Sequence, residues 1–162
     1  MMPDFLERWR KELPKLKDNL LAFLDEFSKR GLDERMSRMS EMHARVFEEI
    51  DCLKCANCCK TTPAILLNKD IKRMAAFLGI APKIFRKRYV LEDINGELSF
   101  RKVPCVFLEA NNYCQVYDFR PDSCRSYPHT AEVQQKTHTR LHKNNLEICP
   151  ATFEIVKRLK KQ

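Results

Sequence analysis

The sequence predicts an α+β fold dominated by helix: an N-terminal helical hairpin packed on a small cysteine-rich metal-binding domain with two short β-hairpins. Three observations carry this reading. Apolar residues recur at alternating spacings of three and four through the first fifty residues, the period of a buried helix face. Asn95-Gly96 and Asn111-Asn112 each lie between short runs rich in β-branched and aromatic residues, as hairpin turns do. All eight cysteines fall between residues 52 and 149, and none precedes them. The expected division is therefore 1–50 for the hairpin and 51–162 for the metal-binding domain.

The first helix carries Leu6, Trp9, Leu13, Leu16, Leu20, Phe23 and Phe27 on one stripe. Pro14 lies inside it and is expected to kink or restart the helix, because it lacks a backbone donor. Gly31 is the expected stop and Asp33 the expected cap of a second helix bearing Met36, Met39, His43, Val46 and Ile50. These stripes suit packing on the cysteine domain better than a homodimer through the N-terminal helices, and His43 reads as a packed or edge histidine. Thr61–Leu67 is short and apolar, a strand or a buried connector. Asn68 is placed to cap a helix that ends at Gly79, and Pro82 to open another running through Phe85 and Tyr89. Asn95-Gly96 predicts a type I′ turn, since both residues tolerate positive φ. Cys105–Leu108 and Tyr113–Tyr117 form the second expected hairpin. Arg120–Pro128 reads as a turn of helix between prolines, and Cys149-Pro150 opens a final helix with Phe153, Val156 and Leu159.

Chemistry concentrates in Cys52-Leu-Lys-Cys55-Ala-Asn-Cys58-Cys59. The adjacent pair Cys58 and Cys59 has Cα atoms ~3.8 Å apart. Unstrained disulfides need roughly 4.4–6.8 Å, so a metal is the better partner for this run. Crowded thiolates repel, by about 4 kcal/mol for two charges 4 Å apart at a dielectric of 20, and a bound cation removes that cost. Two metals fit the spacing. Cys52, Cys55 and Cys58 are spaced as three ligands of a [4Fe–4S] cluster, with Cys149-Pro150 of the form that supplies a fourth. Cys59, Cys105, Cys114 and Cys124 would then be left for a second centre. Zinc would instead use the eight sulfurs as two four-thiolate tetrahedra, although a second C-x2-C knuckle is missing.

The rest of the chain excludes more than it suggests. Thirty basic against 22 acidic residues give a formal charge of +8. No apolar run reaches the ~20 residues of a membrane span, and the charged N-terminal stretch has no signal-peptide core. A cytoplasmic location with reduced thiols and no membrane partner is expected. Three glycines leave no phosphate cradle. Lys83, Arg86, Lys87 and Arg88, and again Lys157, Arg158, Lys160 and Lys161, form basic runs. With only Phe85 and Tyr89 interleaved they read as solvated faces, against a nucleic-acid partner. His138 and His142 are four apart, but no acidic companion makes them a zinc motif, and they too read as a solvated helix face. Arg120 and Arg125 flank Cys124 and could donate to thiolate sulfur, offsetting the negative charge of a bound cluster.

The cysteine run, Pro104-Cys105-Val-Phe-Leu, Tyr113-Cys114-Gln-Val-Tyr117 and Arg120-Pro121-Asp-Ser-Cys124-Arg125-Ser-Tyr127-Pro128 occur in that order, and together they resemble the YkgJ-like CxxCxxCC cysteine-cluster proteins. That family is described as zinc- or iron-chelating and often labelled iron–sulfur. The resemblance spans 52–128, with a looser match at Cys149. It implies that Cys52, Cys55, Cys58, Cys59, Cys105, Cys114 and Cys124 bind the metal. Flagellin lysine N-methylases carry a similar arrangement, which keeps an enzyme in view. The expected function is a metal-binding protein, iron–sulfur with a redox role toward a redox or protein partner. The alternative is a zinc-stabilised module with a basic recruiting face.

Overall fold

The computed structural model describes residues 3–131 and 138–162. In chain order its helices are α1 (Pro3–Ser28), α2 (Leu32–Glu49), α3 (Cys52–Cys55), α4 (Asn57–Thr61), α5 (Asn68–Phe77), α6 (Pro82–Tyr89), α7 (Asp122–Ser126), α8 (His138–Leu146) and α9 (Pro150–Lys160). The strands are β1 (Ile65–Leu66), β2 (Val90–Glu92) and β3 (Leu98–Phe100). The chain is α+β and helix-dominant, as the sequence predicts. Its contacts define two units, Met1–Cys55 with Pro128–Gln162, and Ala56–Tyr127. The C-terminal helices thus group with the N-terminal hairpin, where the expected boundary at residue 50 separates them.

In the first unit the apolar stripe of α1 is covered by α8 and α9, and α2 also packs on α9. Trp9, Leu20 and Leu24 meet Leu146, Phe153 and Val156 in one core. Trp9 Nε1 donates to Leu146 O at 3.2 Å, a net gain of about 1 kcal/mol for a buried donor. α1 runs unbroken through Pro14, so the helix does not restart there. The lost amide costs one bond, while Trp9 and Leu20 on either side are pinned in the same core. Gly31 does not end α1 in a left-handed turn. It is the N-cap of α2, its carbonyl accepting the Arg35 amide at 3.1 Å, and Asp33 lies inside the first turn, where its charge faces the helix dipole.

α9 is buried along nearly its whole length, because helices cover it on several sides. Its basic end is a solvated face only at Lys160 and Lys161. Arg158 grips Glu49 with two bonds of 2.7 Å and Glu154 with one of 2.8 Å, and Lys157 meets Glu12 at 2.6 Å. His142, expected on a solvated face, is 2% exposed. It sits there because residues 128–130 need partners. His142 Nε2 bonds the carbonyl of His129 at 3.0 Å, Asn145 donates to Pro128 O at 3.0 Å, and His43 Nδ1 pairs with Thr130 Oγ1 at 2.8 Å. Burial pushes the His142 imidazole down to about 4, with the His129 carbonyl opposing and His138 and His129 adding to the fall.

The second unit is built on an antiparallel sheet of order β1-β3-β2. Leu98 and Phe100 of β3 face inward and Ser99 outward, with Leu66 and Val90 completing the inner face. Ile71, Met74, Phe85, Phe107 and Val116 close this core. α6 begins at Pro82 and ends at Tyr89, and Gly79 takes φ +66 after α5, both as expected. The Asn95-Gly96 turn differs from a type I′ turn. Only Gly96 has positive φ, because the Asp93 carboxylate accepts from Asn95 N and Glu97 N, at 2.8 Å each, and shapes a longer loop. The second expected hairpin is reduced to one bridge, Leu108 to Cys114, with Asn112 at φ +69. Among the described residues no helix is long and apolar enough to cross a membrane.

Candidate metal centre

The cysteine run folds as two helical turns separated by one strained residue. Asp51 starts the first: its carboxylate accepts Leu53 N at 2.9 Å and its carbonyl accepts Lys54 N and Cys55 N. Cys52 and Cys55 stand at the two ends of α3, Cys52 exposed and Cys55 half-buried. Ala56 then takes φ 49, a left-handed conformation that costs an L-residue roughly 1–2 kcal/mol. It ends α3 and lets α4 begin afresh with Cys58 and Cys59 in its first turn. Thr62 N to Cys58 O at 2.8 Å and Thr61 Oγ1 to Asn57 O at 2.8 Å close α4.

Within the second unit the remaining segments converge on Cys59. Cys105 N donates to Cys59 O at 2.8 Å, Cys114 lies on the bridge from Leu108, and Cys124 rides on α7. The thiol of Cys58 donates to Cys59. Together with the Cys59 amide and the Lys60 charge, against burial, this brings Cys59 down to about 7. Burial drives the other three the opposite way. Cys105 is pushed up to about 11, Cys124 to about 12, and Cys114 is raised as well. The negative charge of Cys59 adds to the rise at each of the three, and Cys105 and Cys114 also act on Cys124. One acidic thiol therefore lies among three whose protons burial retains, an arrangement that a cation would complete by discharging them.

The other candidate ligands belong to the first unit. Cys149 is buried at the N-cap of α9, its thiol raised by burial despite the Thr152 and Ala151 amides, and the charge of Cys55 raises it further. No disulfide joins any of the eight cysteines among the described residues. Nor do three His, Cys, Asp or Glu side chains there draw close enough to hold one ion as they stand. The donor set would suit a soft metal chemically, four mutually sensing thiols with neither imidazole nor carboxylate.

Both arginines flanking Cys124 donate to backbone carbonyls. Arg120 lies 3.8 Å from the Tyr117 ring centroid and donates to Tyr117 O at 2.6 Å, while its charge favours the Cys114 thiolate at a distance. Arg125 donates to the carbonyls of Asp118 and, at 3.3 Å, Arg120. Both spend their donors on backbone that would otherwise be bare. Tyr113, beside Cys114, is 49% exposed. Asp70 and Arg73, which sequence reasoning passed over, tie α5 to the segment bearing Cys124. Their one signal was an acid–base pair three apart at a helix start.

Half-buried thiols from separate segments of one unit are a donor set of the kind that thiolate metal-binding proteins use. The chain belongs to the CxxCxxCC family, whose model, described as a "putative zinc- or iron-chelating domain", matches residues 51–150. Metal binding is the function class that this membership supports. Uncharacterized protein MJ0661 of Methanocaldococcus jannaschii is 34% identical over 86 residues, 51% of this chain. The matched stretch spans 46% of that relative, about half its length. No solved structure matches the chain.

Proposed function

We propose that the chain is an iron–sulfur protein with a redox role, in electron transfer or in a cluster-dependent reaction, working where thiols stay reduced, as in the cytoplasm. The observation that carries it is the group of Cys59, Cys105, Cys114 and Cys124 in the second unit, one acidic thiol facing three that burial keeps protonated. Eight thiols are twice what one zinc tetrahedron uses, and Cys52, Cys55 and Cys58 keep the two-residue gaps of a cubane run. A [4Fe–4S] cluster would supply one-electron chemistry. The chain's own part is to lower the Cys59 thiol, to favour the Cys114 thiolate through the Arg120 charge, and to pack the Phe107 and Tyr89 rings, tilted and 5.1 Å apart, against Cys105 and Cys114.

A second reading has its own support. Four mutually sensing thiols match the closed tetrahedron of a structural zinc site. The protein would then be a binding module, with Lys83, Lys87 and Arg88 of α6 exposed for an acidic partner. Iron, zinc and acid-labile sulfide measured per chain on protein purified without oxygen separate the two. Iron and sulfide in equal amounts, about four or eight of each, support the cluster. Stoichiometric zinc without sulfide ends the redox reading.

A further inference from the structure

The geometry points to Asp70 and Arg73 as positioning residues that set the place of Cys124 and so govern whether the metal centre closes; this rests on the reading of the thiols as ligands. Cys124 lies on α7, a helix of five residues, too short to hold itself. Ser123 Oγ donates to Ile65 O at 2.7 Å and Lys69 of α5 meets Asp122 at 2.5 Å, and the rest of its hold comes from two further side chains of α5. The Asp70 side chain is 1% exposed, and both of its oxygens are used. Oδ2 accepts Leu67 N at 2.9 Å, starting α5, and Oδ1 accepts Arg73 Nη2 at 2.7 Å and Asp122 N at 3.2 Å. Asp122 is the first residue of α7, two before Cys124.

Arg73 reaches the same segment from the side. Its Nη2 donates to Arg120 O at 2.8 Å and to Asp122 Oδ1 at 3.0 Å, and its Nε to Phe119 O at 3.4 Å. Capping α5 needs the Leu67 contact alone, yet four further bonds from this pair end on residues 119–122. A buried carboxylate survives only where its partners outweigh its lost hydration. Here those partners are the start of one helix and the base of the cysteine-bearing one. Loss of the pair should free α7, moving Cys124 away from Cys59, Cys105 and Cys114 while the segments that carry those three stay in place.

The test uses the full chain with Arg73→Ala, Asp70→Asn and Arg73→Lys. In metal-free protein, residue-resolved alkylation by iodoacetamide should speed about tenfold at Cys124 in the first two variants and leave Cys149 unchanged. With cobalt(II) bound, the thiolate-to-metal charge-transfer absorption should fall by roughly a quarter, one ligand of four. Arg73→Lys keeps the charge but not the fork, and should recover roughly half of each change. Alkylation and spectrum equal to wild type overturn the inference. So does an equal rise at Cys149, which would make the pair a support of the whole fold. A wild-type chain that takes up no cobalt sinks the metal reading instead, and the Cys124 alkylation rates still decide whether the pair positions that residue.

Discussion

The two units are held together by different means. In the first, α1 is 26 residues long and α2 18, and periodic apolar stripes close a core around Trp9, Leu24 and Phe153. In the second, the longest helix has ten residues and the strands two or three. Helices this short are marginal on their own, so side-chain clamps must do part of the holding: Asp70 and Arg73 on α7, Asp93 in the hairpin, Ser123 Oγ on Ile65 O at 2.7 Å. Polar clamps leave stability unfinished, and the thiols of this unit are where a metal would finish it. The first unit closes its core with apolar side chains and holds only Cys149 of its three cysteines buried.

Metal uptake sharpens this contrast most. Cys105, Cys114 and Cys124 hold their protons in the metal-free chain, so each proton displaced should raise apparent affinity about tenfold per pH unit. Competition titrations between pH 6 and 8 should show a rise of several hundredfold or more per unit; a flat profile would mean that these thiols are not the ligands. Core truncation comes next. Phe153→Ala and Phe85→Ala each empty a fully buried ring site and should cost about 3–5 kcal/mol. Trp9 is the single tryptophan and lies in the first unit, so its fluorescence in denaturant reads the Phe153 loss, and the absorbance of the bound metal reads the Phe85 loss.

Acid should act first on the first unit. The His142 imidazole titrates at about 4 in the fold and near its ordinary 6.5 when unfolded. The folded state therefore binds fewer protons in that window. The contribution is complete above pH 6.5 and is lost as pH falls toward 4, on the order of 3 kcal/mol in all. His142→Gln should flatten the stability-against-pH curve between those values, as read by Trp9 fluorescence. An unchanged slope would assign the acid sensitivity to carboxylates.

What the sequence made legible follows from how locally each feature is encoded. α6 was visible from Pro82 to Tyr89, and the end of α5 from Gly79, because those signals act within one turn. The a/d stripe of α1 was visible, but not its continuity through Pro14, since that depends on α8 and α9, more than a hundred residues away. The turn at Asn95-Gly96 misled because Asp93, just outside the dipeptide, supplies the hydrogen bonds. His142 misled for a similar reason: the carbonyl it serves belongs to His129, thirteen residues earlier. For the thiols, the spacing from Cys52 to Cys59 announced a metal, while the split of the candidates depends on how the chain folds back. Cys58, Cys59, Cys105, Cys114 and Cys124 fall in one unit, and Cys52, Cys55 and Cys149 in the other. The clamp on Cys124 was silent, because Asp70 and Arg73 resemble any acid–base pair on a helix.

The most direct test of the central claim, that metal completes the cysteine-bearing unit, is hydrogen exchange followed by mass spectrometry on metal-loaded and chelator-stripped protein. Stripping should speed exchange in the peptides around Cys58–Cys59 and through 105–126, with α1, α2 and α9 unchanged. Equal exchange in both states, or a loss of protection centred on α1 and α9, would contradict it.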